Sequence, residues 1–407
     1  MWFIWLALGL TLVTAAGLYT RRRVAEAAGA LGLAPRGQRV LRVAMLWLLF
    51  GYPVLMFATV AFTLALGRER MVGFEGPVAS WLLVVPFFLT VLVVLQALPW
   101  LLVVEVVQRV RRARGRATWM RRGHALAVLA PIVAFAIYTP ARIAWQRGEL
   151  RWRHHVVAAP HRATDPAAAR PRPFRIAFLA DLQMDDHTTE ADVARITAQL
   201  DEARPDIVLS AGDWINMGPD HIAAAARAAG RAHSRLGTYS VRGDHEHFAY
   251  TDRARSVDAV TAAMAGQGVA MLHNEVRRFA HEGTTIAVAF LTYSYPARTS
   301  FVEIARLVAE LDGADVRILV THQLTREIAE FARDRVELVL AGHTHGGQVN
   351  PVVGLWHVPL ARLETPYVDG RYQLGATTII VTAGLGYSLV PFRYASPASI
   401  ETIDVTF

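Results

Sequence analysis

The chain of 407 residues has no cysteine, which excludes a disulfide framework and any thiolate metal site and leaves the redox compartment unread. Lysine is missing as well, so all 42 basic residues are arginine. Codon usage produces such a bias without functional demand, and the basic balance is therefore not taken as a sign of nucleic-acid binding. The first apolar run has no positive region before it and three arginines after it, the reverse of a cleavable secretory signal, so it is expected to stay as a helix. What the chain has in excess is apolar residues, 53% of the total, too many for an ordinary soluble enzyme.

That excess is confined to residues 1 to 145. Four runs there, about 2–19, 43–66, 81–104 and 125–143, approach or exceed the roughly 20 apolar residues that cross a bilayer as helix. Trp2, Trp5, Trp81, Trp100 and Trp145 lie near their ends, where an amphipathic ring prefers headgroup level. Arg21, Arg22, Arg23, Arg36, Arg39 and Arg42 separate the first two runs, and Arg109, Arg111, Arg112, Arg114, Arg116, Arg121 and Arg122 separate the last two. In the middle loop Arg68 and Arg70 are balanced by Glu69 and Glu75. Positive loops stay in the cytoplasm, so the C-terminal domain is expected on the far side of a bacterial inner membrane. Arg142 at the end of the fourth run, and Arg147, Arg151 and Arg153 just beyond it, argue the other way. Residues 146–173, rich in proline and arginine, read as a linker, with His154, His155 and His161 as solvated linker residues.

From residue 174 the pattern becomes strand, loop, helix, repeated, as in an α/β domain. Phe174–Ala180 is an apolar strand that stops at Asp181-Leu182-Gln183, and Asp206–Ser210 stops at Ala211-Gly212-Asp213. Thr238–Val241 runs into Arg242-Gly243-Asp244-His245-Glu246, and Val316–Val320 into Thr321-His322-Gln323. Val336–Leu340 runs into Gly342-His343-Thr344-His345-Gly346-Gly347. Ligands bind at the carboxyl ends of strands in such sheets, so five loops carrying Asp181, Asp213, Asp244, His322, His343 and His345 are expected to converge. Three gathered carboxylates repel unless cations neutralise them, and this oxygen and nitrogen set suits two divalent ions.

Taken in order, these motifs resemble the calcineurin-like metallophosphoesterases, whose pattern is Asp-x-His, Gly-Asp, Gly-Asn-His-Asp/Glu, a lone His after a strand, and Gly-His-x-His. The resemblance covers residues 174–407. Gly346-Gly347-Gln348, the Gly384-Leu385-Gly386-Tyr387 segment and Pro391-Phe392-Arg393 are similar to the membrane-anchored bacterial branch. It implies an α/β/β/α sandwich after a four-helix transmembrane region, and a hydrolase acting on a phosphoester or diphosphate, one that a lipid could carry, with a metal-activated water as nucleophile. It also implies that Asp213 bridges two metals, with Asp181, Gln183 and His345 completing one site and Asp244, His322 and His343 the other. His245 would protonate the leaving oxygen, with Glu246 orienting its ring.

Two positions depart from the pattern: Gln183 replaces a histidine and Asp244 an asparagine. A glutamine carbonyl is a weak ligand, and an added carboxylate tilts the pair toward oxygen-preferring ions, so manganese or magnesium is favoured, with iron and zinc as further candidates. His187, six residues after Asp181, is read as a loop residue rather than a replacement ligand. The alternative function is a catalytically weakened ligand-binding or sensor domain, with Gln183 marking the loss. A nuclease is disfavoured because no basic aromatic groove is evident. Trp214, Asn216, Tyr293, Tyr295 and Arg393 are residues that could shape the pocket, Trp214 and the tyrosines equally as packing.

Overall fold

The computed structural model describes residues 2–69, 76–115, 121–159, 172–353 and 356–407. Arg70, Glu75, Arg116, Pro160, His161, Pro166 and Pro171 lie outside the described residues, as do the side chains of Trp2 and Trp5.

The N-terminal part is a helical bundle of α1 (Trp2–Ala30), α2 (Pro35–Ala65), α3 (Pro77–Ala79), α4 (Val85–Ala113) and α5 (Arg121–Gln146), with a π-helical turn Ser80–Val84 making α3 and α4 continuous. Among the described residues, three helices are long and apolar enough to cross a membrane: Pro35–Ala65, Pro77–Ala113 and Arg121–Gln146. The expected run 2–19 lies in α1, whose side chains are described only from residue 9, and α1 is not among those three. Among the described residues three candidate spans are thus present, and the fourth expected span is not confirmed. The Arg23 guanidinium lies 2.8 Å from Glu105 and 2.8 Å from His124, tying α1, α4 and α5 together at the end that carries the arginine-rich connections.

The chain continues through β1 (Leu150–Ala158), β2 (Phe174–Leu179), α6 (Glu190–Ala203), β3 (Ile207–Ser210), α7 (Ile222–Gly230), β4 (Thr238–Val241), α8 (Arg253–Ala265) and β5 (Val269–Leu272). It then forms β6 (Glu275–His281), β7 (Thr284–Leu291), α9 (Phe301–Ala309), β8 (Val316–Thr321), α10 (Arg326–Ala332) and β9 (Leu338–Ala341). The last strands are β10 (Val352–Val353), β11 (Trp356–His357), β12 (Gly370–Leu374), β13 (Thr377–Val381) and β14 (Ala398–Thr406). One six-stranded sheet has the order β1-β14-β2-β3-β4-β5 and the other β12-β13-β9-β8-β7-β6.

The two sheets share a core of Phe174, Ile176, Phe178, Ile286, Val288, Ile318 and Leu340, all fully buried. The outer face of the first sheet packs on α6, α7 and α8, and that of the second on α9 and α10. Strands buried on both faces have no polar side to show, which is why β2, β3, β8 and β9 read as continuous apolar runs. β2, β3, β4 and β5 run parallel, as do β7, β8, β9 and β13, so their carboxyl ends fall along one edge of the sandwich.

The reading of 146–173 as a linker does not hold for residues 150–158. β1 pairs with β14 in parallel register from Leu150↔Ala398 to Ala158↔Thr406. His155 is not a solvated linker residue either, its Nε2 meeting Glu401 at 2.8 Å, whereas His154 is half exposed but sits on the strand, its Nε2 3.0 Å from Asp404. Arg153, counted against the membrane orientation, pairs with Asp369 at 2.7 Å. Its position thus has a cause inside the α/β domain.

Candidate metal centre

Each candidate ligand lies within a few residues of the end of a strand. Asp181 follows β2, Asp213 follows β3, Asp244 follows β4, His322 follows β8, and His343 and His345 follow β9. Asp181, Gln183, Asp213, His343 and His345 all have positive φ, between 50° and 73°. Left-handed backbone is costly for residues with a Cβ and is retained where surrounding structure enforces it, commonly at functional sites. Here backbone bonds enforce it: Asp181 N–H donates to Gly212 O and Gln183 N–H to Asp213 O, both at 2.9 Å, while His343 N–H donates to the Asp181 carboxylate at 3.0 Å across the sheets. A Cβ on Gly243 would lie 2.8 Å from both Asp213 N and His322 Nδ1. Only glycine lets β4's exit loop come that close.

The result is two clusters. Asp181, Asp213 and His345 form one, and Asp244, His322 and His343 the other; within each, the ligand-type atoms lie within 4.8 Å of one another. The clusters adjoin, because His322 Nε2 is 3.4 Å from both Asp213 Oδ2 and Asp244 Oδ2. All six residues named from the sequence as metal-ligating Asp or His are thus brought together.

Gln183 lies against the first cluster, its Nε2 donating to Asp213 Oδ2 at 2.9 Å. Its carbonyl oxygen is buried and has no hydrogen-bond partner. His187 bonds Ser80 Oγ of the π turn at 2.9 Å.

Burial and electrostatics set the protonation of the site. Burial pushes Asp181 up to about 6, with the Asp213 charge adding to it against His322. Burial likewise raises Asp213. For Asp244 burial works in the same direction but is outweighed by hydrogen bonds from His322 and His343, which hold its carboxyl well below the usual range. Burial opposes a charge on His322, yet the Asp213 and Asp244 carboxylates raise it to about 10. His343 is raised for similar reasons by Asp244 and Glu364. His345 goes the other way: burial, with Arg393 nearby, holds it well below its ordinary value.

Outer partners orient the imidazoles. His322 Nδ1 donates to Ala211 O at 2.7 Å, which leaves Nε2 for the centre. His343 presents Nδ1 to Asp244 Oδ2 at 2.8 Å and Nε2 to Glu364 Oε1 at 2.9 Å. Glu364 also takes a bond from Gln323 Nε2. Sequence reasoning missed Glu364 because no motif surrounds it; the segment 364–369 is irregular. Tyr295 donates its N–H to Asp244 Oδ1 at 2.6 Å, and its ring meets His343 edge-on at 5.3 Å. Arg393 donates to the His345 and Ser396 carbonyls at 3.1 and 3.2 Å and to Gly386 O at 2.8 Å. Trp214 packs in the core with Nε1 on Ser240.

His245 sits at the rim of the first cluster, its Nε2 4.0 Å from Asp213 Oδ2 and its N–H donating to Asp213 Oδ1 at 2.8 Å. Glu246 does not orient that ring. His245 Nδ1 bonds Asn216 O instead, and the 3-10 turn His245–His247 sends Glu246 back into the fold. There its carboxylate accepts from the N–H groups of Asp213, Trp214 and Gly243. Burial and the Asp213 charge push it up to about 7. Glu246 therefore fixes the loops after β3 and β4 rather than the acid.

Comparison with known proteins agrees with this geometry. Residues 174–347 match the profile of calcineurin-like phosphoesterases. The chain carries a calcineurin-like metallophosphoesterase domain. A "transmembrane protein with metallophosphoesterase domain" from Danio rerio is 29% identical over 241 residues, covering 56% of this chain and 52% of that protein. The "uncharacterized metallophosphoesterase YkuE" of Bacillus subtilis is 26% identical over 238 residues, covering 57% of this chain and 79% of that one. The chain spans about half the length of the first relatives, 52% for both the Danio rerio and the Bos taurus protein. Among solved structures, a hypothetical protein from Thermus thermophilus aligns at 16% identity with a TM-score of 0.35, over 57% of this chain and 99% of that one. That likeness is too distant to add to the assignment.

Proposed function

We propose that the chain is a membrane-anchored phosphoesterase that uses two divalent cations to hydrolyse a phosphoester or diphosphate, with a lipid-linked substrate as the specific form of that reading. One observation carries it: two buried clusters share a wall of carboxylates that, among the described residues, pair with histidine and with no arginine.

The residues fit a pair of cations. The donors are carboxylate oxygens and imidazole nitrogens, the unpartnered Gln183 carbonyl oxygen lies beside them, and the Gly243 backbone leaves no room for a side chain between them. Asp181, Gln183, Asp213 and His345 would hold one ion, and Asp213, Asp244, His322 and His343 the other, with manganese or magnesium favoured by the oxygen-rich set. Bound there, the ions would supply Lewis acidity toward phosphoryl oxygens and lower the pKa of water.

The chain's own groups do the remainder. Burial keeps His245 below its ordinary pKa, and its Nδ1 is committed to Asn216 O, so its Nε2 faces the centre with a free lone pair at neutral pH. A phosphoester anion beside it favours uptake of a proton from solvent at Nε2, and the imidazolium so formed donates that proton to the leaving oxygen. Tyr295 and Glu364 hold the Asp244–His343 pair in register.

We also divide the chain into a transmembrane region (1–145, four spans with α1 included) and a catalytic domain (174–407), and place the protein in a bacterial inner membrane with the catalytic domain extracytoplasmic. The arginine-rich connections at the opposite end of the bundle from Gln146 and β1 support that placement. The lipid bilayer is the partner implied; nucleic acid is not.

Full-length protein with manganese should hydrolyse bis-p-nitrophenyl phosphate, and Asp213→Ala should not. His245→Ala should lose most turnover and keep its metal. Stoichiometric metal with no turnover on any phosphoester would favour the sensor reading, for which the Gln183 amide on Asp213 Oδ2 is the supporting contact.

A further inference from the structure

The edge of the α/β domain nearest the metal centre carries large apolar side chains turned outward. Trp356 is 75% exposed, Leu363 61% and Leu389 72%, with Val353 and Leu360 beside them in sequence. They belong to the β10–β11 hairpin, the 3-10 turn Leu360–Leu363 and the Ser388–Val390 turn. A water-facing loop rarely concentrates such residues; a contiguous patch of them marks a surface that is covered.

What covers it follows from the neighbours of these loops. Gln96 lies fully buried within α4, and its Oε1 accepts from Val352 N–H at 3.2 Å and from the Tyr394 hydroxyl at 2.7 Å. Its Nε2 donates to Thr139 of α5 at 2.9 Å. Val390, Phe392 and Tyr394 pack with Tyr52, Val84, Val85 and Leu92 of the bundle. The loops are thus docked on helices that are long and apolar enough to cross a membrane.

The depth of this docking can be counted. From Arg109, the first arginine at the α4–α5 connection, back to Gln96 the helix rises about 20 Å. The hydrocarbon core of a bilayer is about 30 Å thick, and any tilt shortens the rise. With the arginines at one interface, backbone that touches Gln96 lies within acyl-chain depth on the other side.

The same loops border the metal centre. Leu363 directly precedes Glu364, which accepts from His343 Nε2 at 2.9 Å. Gln348, three residues past His345, donates to the carbonyls of Ser388 and Val390 at 2.9 and 2.8 Å, on either side of Leu389.

We propose that Val352 and Val353, Trp356–Leu363 and the Leu389 turn form a rim embedded in the outer leaflet, with Trp356, Leu363 and Leu389 in lipid rather than against a protein partner. The mouth of the metal centre then opens at headgroup level. A phosphoester could reach it while its apolar part stays in the bilayer, a consequence that rests on the phosphoesterase reading; the rim itself does not.

The absence of cysteine makes single-site labelling clean. Full-length Trp356→Cys, Leu363→Cys and Leu389→Cys variants, spin-labelled in vesicles of phosphatidylcholine and phosphatidylglycerol, would be compared with Val302→Cys on α9, which is 83% exposed. Power saturation should show, at the three rim sites, an oxygen-to-nickel-chelate accessibility ratio several-fold above that at residue 302. Equal ratios at rim and control sites would overturn the proposal, and so would low accessibility to both reagents, which indicates a protein partner. Three independent positions keep the result readable if one variant folds poorly. Since the measurement needs no turnover, embedded labels in an inactive protein would contradict the enzyme reading alone, and water-exposed labels in an active protein would contradict the rim alone.

Discussion

The two clusters that meet at the sandwich edge use the same chemical groups but are braced differently. In the Asp244–His322–His343 cluster each imidazole has an outer acceptor, Ala211 O for His322 and Glu364 for His343, and both rings are raised well above the ordinary histidine range by the carboxylates they face. In the Asp181–Asp213–His345 cluster the position where a further imidazole would be expected is Gln183, and the buried Arg393, itself pushed down to about 10 by burial, has Nη2 3.4 Å from His345 Nδ1. A guanidinium there disfavours charge on His345, and an amide adds no charge. The difference teaches that proton affinity and cation affinity should both be concentrated in the second cluster, with the first binding its ion more weakly.

Removing the outer brace should narrow this contrast most. Glu364→Gln is expected to weaken binding at the tighter site by about 10- to 100-fold, the usual effect of losing an outer-sphere carboxylate behind a histidine ligand. Isothermal titration with manganese would measure it, and an unchanged isotherm would mean that His343 needs no support from Glu364.

pH should sharpen the contrast. In the metal-free protein the folded-state pKa of His322, about 10, lies above the unfolded value of roughly 6.5. The proton-linked stability is therefore complete below about 6.5 and is lost as pH rises through about 10. A cation must displace that proton, so affinity at the second cluster should rise with pH across this window, by up to about tenfold per unit for each proton released. Titrations at pH 7 and 8.5 in buffers of different ionisation enthalpy would show proton release; affinity falling with pH would reverse the assignment.

Gln183→His should narrow the contrast from the other side. An imidazole at residue 183 is expected to tighten the weaker site by roughly tenfold or less, about 1.4 kcal/mol, visible as a second manganese equivalent retained on dialysis. Retention unchanged from the parent would mean that side chain 183 does not reach the ion.

Much of this centre was legible in the sequence because each ligand candidate follows an apolar strand directly. A strand such as β9, Leu338–Ala341, announces both its own end and the loop that carries His343 and His345. What was not legible depends on distant pairing or on side-chain direction. β1 mixes arginine and histidine with apolar residues and reads as polar linker until its partners Glu401 and Asp404, some 250 positions on, are beside it. Glu246 follows His245 in sequence, yet the tight turn between them sends it toward three backbone N–H groups instead. Glu364 comes from a stretch without strand, helix or motif.

The central claim is that these two clusters together hold a pair of divalent cations, with Asp213 shared. Equilibrium dialysis of the full-length protein against manganese, followed by elemental analysis, tests it most directly. Two manganese ions per chain are expected, one retained more tightly, with loss of the pair in Asp213→Asn. No stoichiometric metal in the parent, or the same stoichiometry in Asp213→Asn, would contradict it.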